Sequence, residues 1–371
     1  MAMKNFALLI AAQGCSLTGG YIQTLVLSWI AAKQSGGVPL AWYMIACYLP
    51  VAVLSYPLGR FLDGKNLKPW LIFSEIGLAA LSLLLWLAAV FGWLNFAFLL
   101  VFGGVWGCVR ALQTPIYQSL PKRLAKDLKK GTALLTAVTY AARGLGPILG
   151  GLLYAKWGAA VPFLVNFCSF IPSVILLCFL KIPQGERGQK PICKEWLSPL
   201  LRIFAVGFFG VQYNVTFVAL IKEAGKGSAA YGIALGLLGV GALAGFFIKT
   251  RFKKELPLPF AIGGMGLLNL LLLLRWGMLW QGLCILIYGS LDFWFFAQSS
   301  YRLSRAAKEQ ELTAVMGLYT IATVGALPLG ALLWSRVSES AGLSVALALI
   351  GSALLILAIM EKRMDRYEQS I

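Results

Sequence analysis

The sequence predicts an all-α membrane protein of twelve transmembrane helices, arranged as two six-helix bundles related by pseudo-two-fold symmetry. Three observations carry this: an apolar composition, apolar runs long enough to cross a bilayer, and basic residues concentrated in alternate loops. Hydrophobic residues make up 59% of the 371-residue chain and charged residues 12%, against about 25% charge in an average soluble domain. A bilayer core takes about 20 mostly apolar residues per helical span, so twelve spans use about 240 residues and leave no room for a sizeable soluble domain.

The apolar runs lie at 5–32, 39–59, 69–92, 94–118, 132–154, 159–181, 197–221, 228–249, 257–274, 277–299, 312–335 and 340–360. Connections such as Phe91–Leu94 and Arg275–Gly277 are only a few residues long, so consecutive helices run antiparallel. The first run is too long and too dotted with polar residues for a cleavable signal peptide. Of the 32 lysines and arginines, 23 fall on one side of this arrangement, six on the other and three (Arg110, Arg143, Arg202) within spans. Basic loops stay on the cytoplasmic side. Both termini are therefore expected in the cytoplasm of a multi-pass protein of the bacterial inner membrane. The net charge of +18 is then a topology signal, and no nucleic-acid partner is expected.

Six of the seven cysteines (Cys15, Cys47, Cys108, Cys168, Cys178, Cys284) lie inside apolar runs without disulfide or zinc spacing and read as small core residues. The chain has no histidine, which excludes a histidine metal site or proton relay. No metal or cofactor is expected. The segment Gly59-Arg-Phe-Leu-Asp-Gly64-Lys65-Asn66 approaches a phosphate-binding loop. It lacks the Ser/Thr and joins two spans instead of a strand and a soluble helix, so ATP hydrolysis is not expected.

The longest polar stretch, 182–196, divides the chain into an N-terminal bundle (1–181) and a C-terminal bundle (197–371), with the stretch as a cytoplasmic linker. Each half has a basic loop after its second span, at 59–69 and 249–257. Internal repeats of this kind place a binding site near the bilayer midplane between the halves.

Several segments carry a family resemblance. Gly59, Asp63, Lys65 and Lys68 follow a Gly-x-x-x-Asp pattern with trailing basic residues between helices 2 and 3, with Gly64 where an Arg is usual. Arg110-Ala-Leu-Gln113 in helix 4 resembles an Arg-x-x-Gln-Gly motif, with Thr114 for the Gly. Gly146-Pro147-Ile-Leu-Gly150-Gly151 in helix 5 matches a Gly-Pro-x-x-Gly-Gly motif. Helix 11, from Met316-Gly-Leu-Tyr through Leu327-Pro-Leu-Gly to Gly342, adds a further segment, as does the opening half from Gly19 through Leu49-Pro50 to Glu75. Together these resemble the major facilitator superfamily, and within it the transmembrane secretion effectors, which include enterobactin-type siderophore exporters and macrolide efflux proteins. The resemblance implies alternating access by a monomer that exports a small-molecule cargo, with protons as the coupling ion. It also implies a helix 2–3 loop that latches the cytoplasmic gate, where Asp63 can meet a helix N-terminus or a cation. A multidrug or macrolide pump of the same fold is the alternative cargo reading. A lipid scramblase or membrane-embedded enzyme is the alternative class, but no catalytic cluster of acids with His or Cys appears at either interface.

Ionisable residues within spans are costly unless paired or solvated, which singles out Glu75, Arg110, Arg143 and Asp292. Glu75 lies two turns into helix 3, where burial and a reach to the headgroups are both open. Arg110 could snorkel, and Arg143 or Asp292 could belong to a fixed ion pair. Asp292 and Glu75 are the proton-coupling candidates, because a carboxyl can carry a proton as a general acid or base.

In the resembled fold helices 1, 4, 7 and 10 line a central cavity. Candidate lining residues are Gln13, Tyr21, Arg110, Gln113, Arg143, Gln212, Tyr213, Asn214, Tyr288, Asp292 and Phe295. Tyr288, Asp292 and Phe295 are spaced to share one helix face. Aromatic and polar groups together suit an amphipathic cargo, and two cavity arginines favour an anionic one. Helices 5 and 8 meet across the halves in that fold, so the small-residue pairs Gly146/Gly150 and Gly241/Gly245 are expected at that contact, with simple helix packing as the plainer reading.

Overall fold

The computed structural model of the protein describes residues 2–35, 37–184, 196–211, 216–217, 219–220, 223–225, 228–252 and 256–370. Among them the chain is helical throughout, apart from short connections. The helices are α1 (Ala2–Ser35), α2 (Gly37–Leu62), α3 (Leu67–Phe91), α4 (Phe96–Leu124), α5 (Leu128–Trp157), α6 (Ala160–Phe179), α7 (Leu197–Gly210), α8 (Ser228–Phe252), α9 (Leu258–Leu271), α10 (Met278–Ala306), α11 (Leu312–Val324), α12 (Ala326–Ala341) and α13 (Leu343–Ser370). α11 and α12 form one span interrupted at Gly325, so thirteen helices make twelve spans.

Eight of these spans are long and apolar enough to cross a membrane on composition alone, and α7 and α9 are shorter apolar helices. α1 and α5, of 34 and 30 residues, complete the twelve. α5 tolerates its threonines because each hydroxyl turns back on its own helix. Thr132, Thr136 and Thr139 donate to the carbonyls of Leu128, Thr132 and Leu135, so the side chains bring no unmet donor into the bundle. The starts of α3, α4 and α5 are capped by Asn66, Asn95 and Asp127, whose side chains accept from the amides of Lys68, Phe98 and Lys130. Gly92 ends α3 with a left-handed backbone (φ 75°), which a residue without Cβ adopts at no steric cost.

Helix pairing repeats with a shift of six spans. In the first half α1 packs on α5, α2 on α4 and α3 on α6; in the second α7 packs on α11 and α12, α8 on α10 and α9 on α13. Between the halves α5 lies against α8 and α2 against α11, two contacts that the same six-span shift exchanges. This is the pseudo-two-fold pair of bundles expected from the 182–196 division, the repeated basic loop and the family resemblance. Of the stretch 182–196, residues 185–195 lie outside the described residues.

Glycines set how closely the helices approach, and here the structure corrects an expectation. Gly146 and Gly150 do not face α8. A Cβ on Gly146 would stand 2.5 Å from Cβ of Tyr21, and one on Gly150 2.8 Å from the carbonyl of Ile22, so both pack on α1. Gly241 and Gly245 pack on α10, against the carbonyls of Leu286 and Ser290. The contact between the halves uses Gly144 and Gly239 instead: a Cβ on Gly239 would lie 2.7 Å from the Cα of Gly144 and 3.0 Å from the carbonyl of Tyr140. At 3.6 residues per turn, a two-residue offset moves a side chain to nearly the opposite face. Gly144 and Gly146 therefore serve different neighbours. Gly151 makes an ordinary contact with Leu25, and Pro147 is buried in α5.

The difference between a tight and an open glycine can be measured. A methyl group at Gly241 runs into the Leu286 carbonyl, whereas one at Gly20 meets nothing within 4 Å. Gly241→Ala is expected to destabilise by about 1–3 kcal/mol through overpacking. Gly20→Ala should leave the melting temperature in detergent unchanged or raise it, since Ala gains about 0.5–1 kcal/mol over Gly in a helix. Equal melting shifts would contradict this packing.

Candidate functional site: a charged seam between the halves

Asp292 of α10 is completely buried. Its Oδ2 accepts the hydroxyl of Tyr140 on α5 at 2.5 Å, so a side-chain bond joins the two halves deep in the molecule. Oδ1 has no hydrogen-bond partner. Arg143, one turn along α5 from Tyr140, lies within electrostatic reach of the carboxylate. Its guanidinium stands 5.7 Å from the ring centre of Tyr140 and 5.9 Å from that of Tyr21 on α1, close enough for the ring faces to attract the cation. Tyr48 of α2 is within electrostatic reach of both Arg143 and Arg110. Arg110 is half-buried, donates from Nη1 to Oε1 of Gln113 at 2.6 Å and lies 5.2 Å from the ring of Trp106. Two arginines, three tyrosines and one carboxylate from α1, α2, α4, α5 and α10 thus gather where the halves meet.

The face proposed for α10 divides along its length. Tyr288 donates its hydroxyl to the carbonyl of Gly210 on α7 at 2.5 Å, Asp292 faces α5, and Phe295 opens onto a cavity further along. That cavity, about 580 Å³, lies at the end of the molecule that carries the basic loops, with Phe295, Ser299 and Arg302 of α10, Arg202 of α7 and Arg60 of α2 among its walls. Arg202 pairs with Glu361 at 3.1 Å. Gln13 is buried and its Oε1 has no partner. Gln212, Tyr213 and Asn214 lie outside the described residues.

Glu75 does not reach the headgroups. It is completely buried inside the first half, accepting the hydroxyl of Tyr117 on Oε1 at 2.6 Å. Tyr140 and Tyr117, which hold the two buried carboxylates, are absent from the sequence-based candidates. Helical spacing offers a signal for both, since Tyr140 precedes Arg143 by three positions and Tyr117 follows Gln113 by four.

At the basic end the helix 2–3 loop meets α11. Asp63 accepts the backbone amides of Thr313 (2.9 Å) and Ala314 (3.2 Å), capping the start of α11, where unpaired amides and the helix dipole favour an anion. Gly59 permits the approach, since a Cβ there would lie 2.6 Å from the Thr313 carbonyl. Arg123 reaches the Thr313 hydroxyl at 3.5 Å, and Lys122 donates to the carbonyl of Ala307. Lys65 takes no part and stands 3.0 Å above the ring of Phe61. Burial pushes the Asp63 carboxyl up to about 6, against the opposing pull of Thr313, Ala314 and Arg123.

The model of the Major Facilitator Superfamily matches residues 9–331. The chain belongs to this superfamily. Among relatives, a staphyloferrin A transporter of Staphylococcus aureus is 20% identical over 380 aligned positions, covering 92% of this chain and 91% of the relative. An uncharacterized transporter of the same type from Bacillus subtilis, YfiS, is 28% identical over 213 residues, covering 54% of this chain and half of the relative. Among solved structures, the human organic anion transporter MFSD10 superposes with a TM-score of 0.80 at 14% identity, over 97% of this chain and 99% of that one. A bacterial homologue of the iron transporter ferroportin, outward-facing, superposes with a TM-score of 0.76 at 16% identity, over 98% and 99% of the two chains. These likenesses establish the fold, and the protein is a multi-pass major facilitator transporter.

Two outcomes are expected of this site. Tyr140→Phe leaves the buried Asp292 without its donor and should destabilise the major facilitator fold by about 1–3 kcal/mol. Combined with Asp292→Asn, the loss should fall short of the sum of the single losses in a double-mutant cycle; strict additivity would mean that the two side chains do not interact. For the Asp63 cap, a solvated Asp titrates near about 4 and burial pushes the capping Asp63 up to about 6, so the capped arrangement holds the extra proton between those values. The capped arrangement is favoured as pH falls through about 6 and loses this contribution above it. Labelling of a Thr313→Cys probe should fall on acidification from about pH 7 to about pH 5 by more than the loss of thiolate in an exposed control cysteine accounts for, and Asp63→Asn should remove that excess.

Proposed function

We propose that the protein exports a small amphipathic anion of the siderophore type by alternating access, in antiport with protons, from a cytoplasm that faces the basic end. The observation that carries this reading is the Tyr140–Asp292 bond across the halves with Arg143 beside it. A carboxyl that touches both halves changes its charge on taking a proton, and that change alters the attraction between them. The two conformations then differ in proton affinity, as coupling requires. Glu75, addressed only from the first half, lacks this position, so the proton role falls to Asp292.

The anionic preference rests on Arg110 and Arg143, which approach the same tyrosine and so bring two cations to the seam. It agrees with the two relatives named as transporters of an organic anion and of staphyloferrin A. Antiport requires that cargo and proton occupy the seam in turn, so that Asp292 holds its proton while the cavity is empty and releases it when cargo arrives.

The test is export from liposomes under an imposed pH gradient. Asp292→Asn is expected to fold and to lose gradient-driven export, while cargo exchange without a gradient persists. Unchanged gradient-driven export by this variant would remove Asp292 from the mechanism. Proton flux in the same direction as cargo would exclude antiport, and better competition by a cationic dye than by an acidic compound would favour the multidrug reading.

A further inference from the structure

The first half contains a second buried carboxylate whose surroundings are unlike those of Asp292. Every group found to address Glu75 comes from its own half. Tyr117 of α4 donates to Oε1 at 2.6 Å, and the hydroxyls of Ser16 on α1 and Ser173 on α6 stand beside the carboxylate. Oε2 of Glu75 has no hydrogen-bond partner, and neither has Oγ of Ser173. One turn before Ser16 on α1, Oε1 of Gln13 is likewise buried and without a partner. Arg110 is within electrostatic reach, but its Nη1 is turned to Gln113 at 2.6 Å.

The unmet atoms around the carboxylate are its own Oε2 and the Ser173 hydroxyl, which do not bond each other; the hydroxyl can donate or accept. Native proteins leave few such buried atoms unpaired, and a buried carboxylate without a close counter-charge is the costliest among them. A small cation answers both oxygens at once and draws on the Ser16 and Tyr117 hydroxyls beside them.

We propose that Glu75, Ser16, Tyr117 and Ser173 form a binding site for a single Na+ ion inside the first half. The donor set is hard oxygen throughout, which suits alkali and alkaline-earth ions and not soft transition metals. No second carboxylate is among the groups that act on Glu75, so the site offers one negative charge. One monovalent ion neutralises it, while a divalent ion would leave an uncompensated positive charge in an apolar bundle. Oxygens converging from four closely packed helices favour the smaller Na+ over K+. The ion ties α1, α3, α4 and α6 together and so stiffens the first half without touching the seam at Asp292.

The test reads binding, not transport, and is therefore separable from the coupling assigned to Asp292. Purified full-length protein is titrated with radioactive Na+ in a scintillation proximity assay. Melting is followed in NaCl, KCl and choline chloride at equal ionic strength and at two pH values. The expected result is saturable binding of one Na+ per chain and a rise in melting temperature specific to Na+. Glu75→Gln should weaken binding at least tenfold and Ser173→Ala severalfold, with Asp292→Asn binding as the parent does. Should Glu75→Gln not fold, Ser173→Ala and Tyr117→Phe decide the question. No saturable Na+ binding by the parent protein, a melting temperature that follows pH but not Na+, or undiminished binding by these variants would each overturn the proposal.

Discussion

A carboxylate deep in a bilayer has no water to lean on, so the protein must supply whatever meets its charge. This constraint organises the molecule. The chain places Asp292 and Glu75 in its apolar interior, and in each case a tyrosine hydroxyl from a neighbouring helix provides the hydrogen bond. A phenol brings an apolar ring along with its donor, so the ring packs in the bundle while the hydroxyl serves the charge. Asp292 differs from Glu75 in where its donor originates. Tyr140 belongs to the other half, which makes that bond a property of the arrangement of the halves.

Such contacts need helices that come close, and small residues allow it. Without a hydrophobic force between helices in lipid, close van der Waals packing has to hold them together. Gly144 and Gly239 let α5 and α8 meet at backbone distance across the halves, and Tyr140 lies on the same stretch of α5. The dense packing and the buried polar bond are thus two aspects of one contact. At the basic end the same logic applies to Gly59, which brings α2 near enough to α11 for Asp63 to cap it. There the anion meets backbone amides, which carry no formal charge and leave Arg123 beside it as a half-buried partner.

Much of this is legible in the residues. Apolar runs, short loops and lopsided basic residues define twelve spans, because the bilayer imposes a length on every helix and the loops sort by charge. Charged residues inside spans mark where to look, because burying them is costly. The motif around Gly59 and Asp63 marks the loop that meets α11. The error over Gly146/Gly150 and Gly241/Gly245 shows the limit of the method. A small-residue pair identifies a face that something approaches closely but does not name the partner, and α1 and α10 occupy those faces.

The sequence by itself determined the class of protein, its spans and the short list of charges that matter, since these follow from local composition and from the physics of the bilayer. Only the tertiary structure decided which charges meet. Asp292 and Tyr140 are 152 positions apart, and no local rule relates them; their bond follows from how α5 and α10 are rotated and packed. The confinement of Glu75 to one half, and the placement of Asp63 at the start of α11 and not at a basic side chain, were decided in the same way.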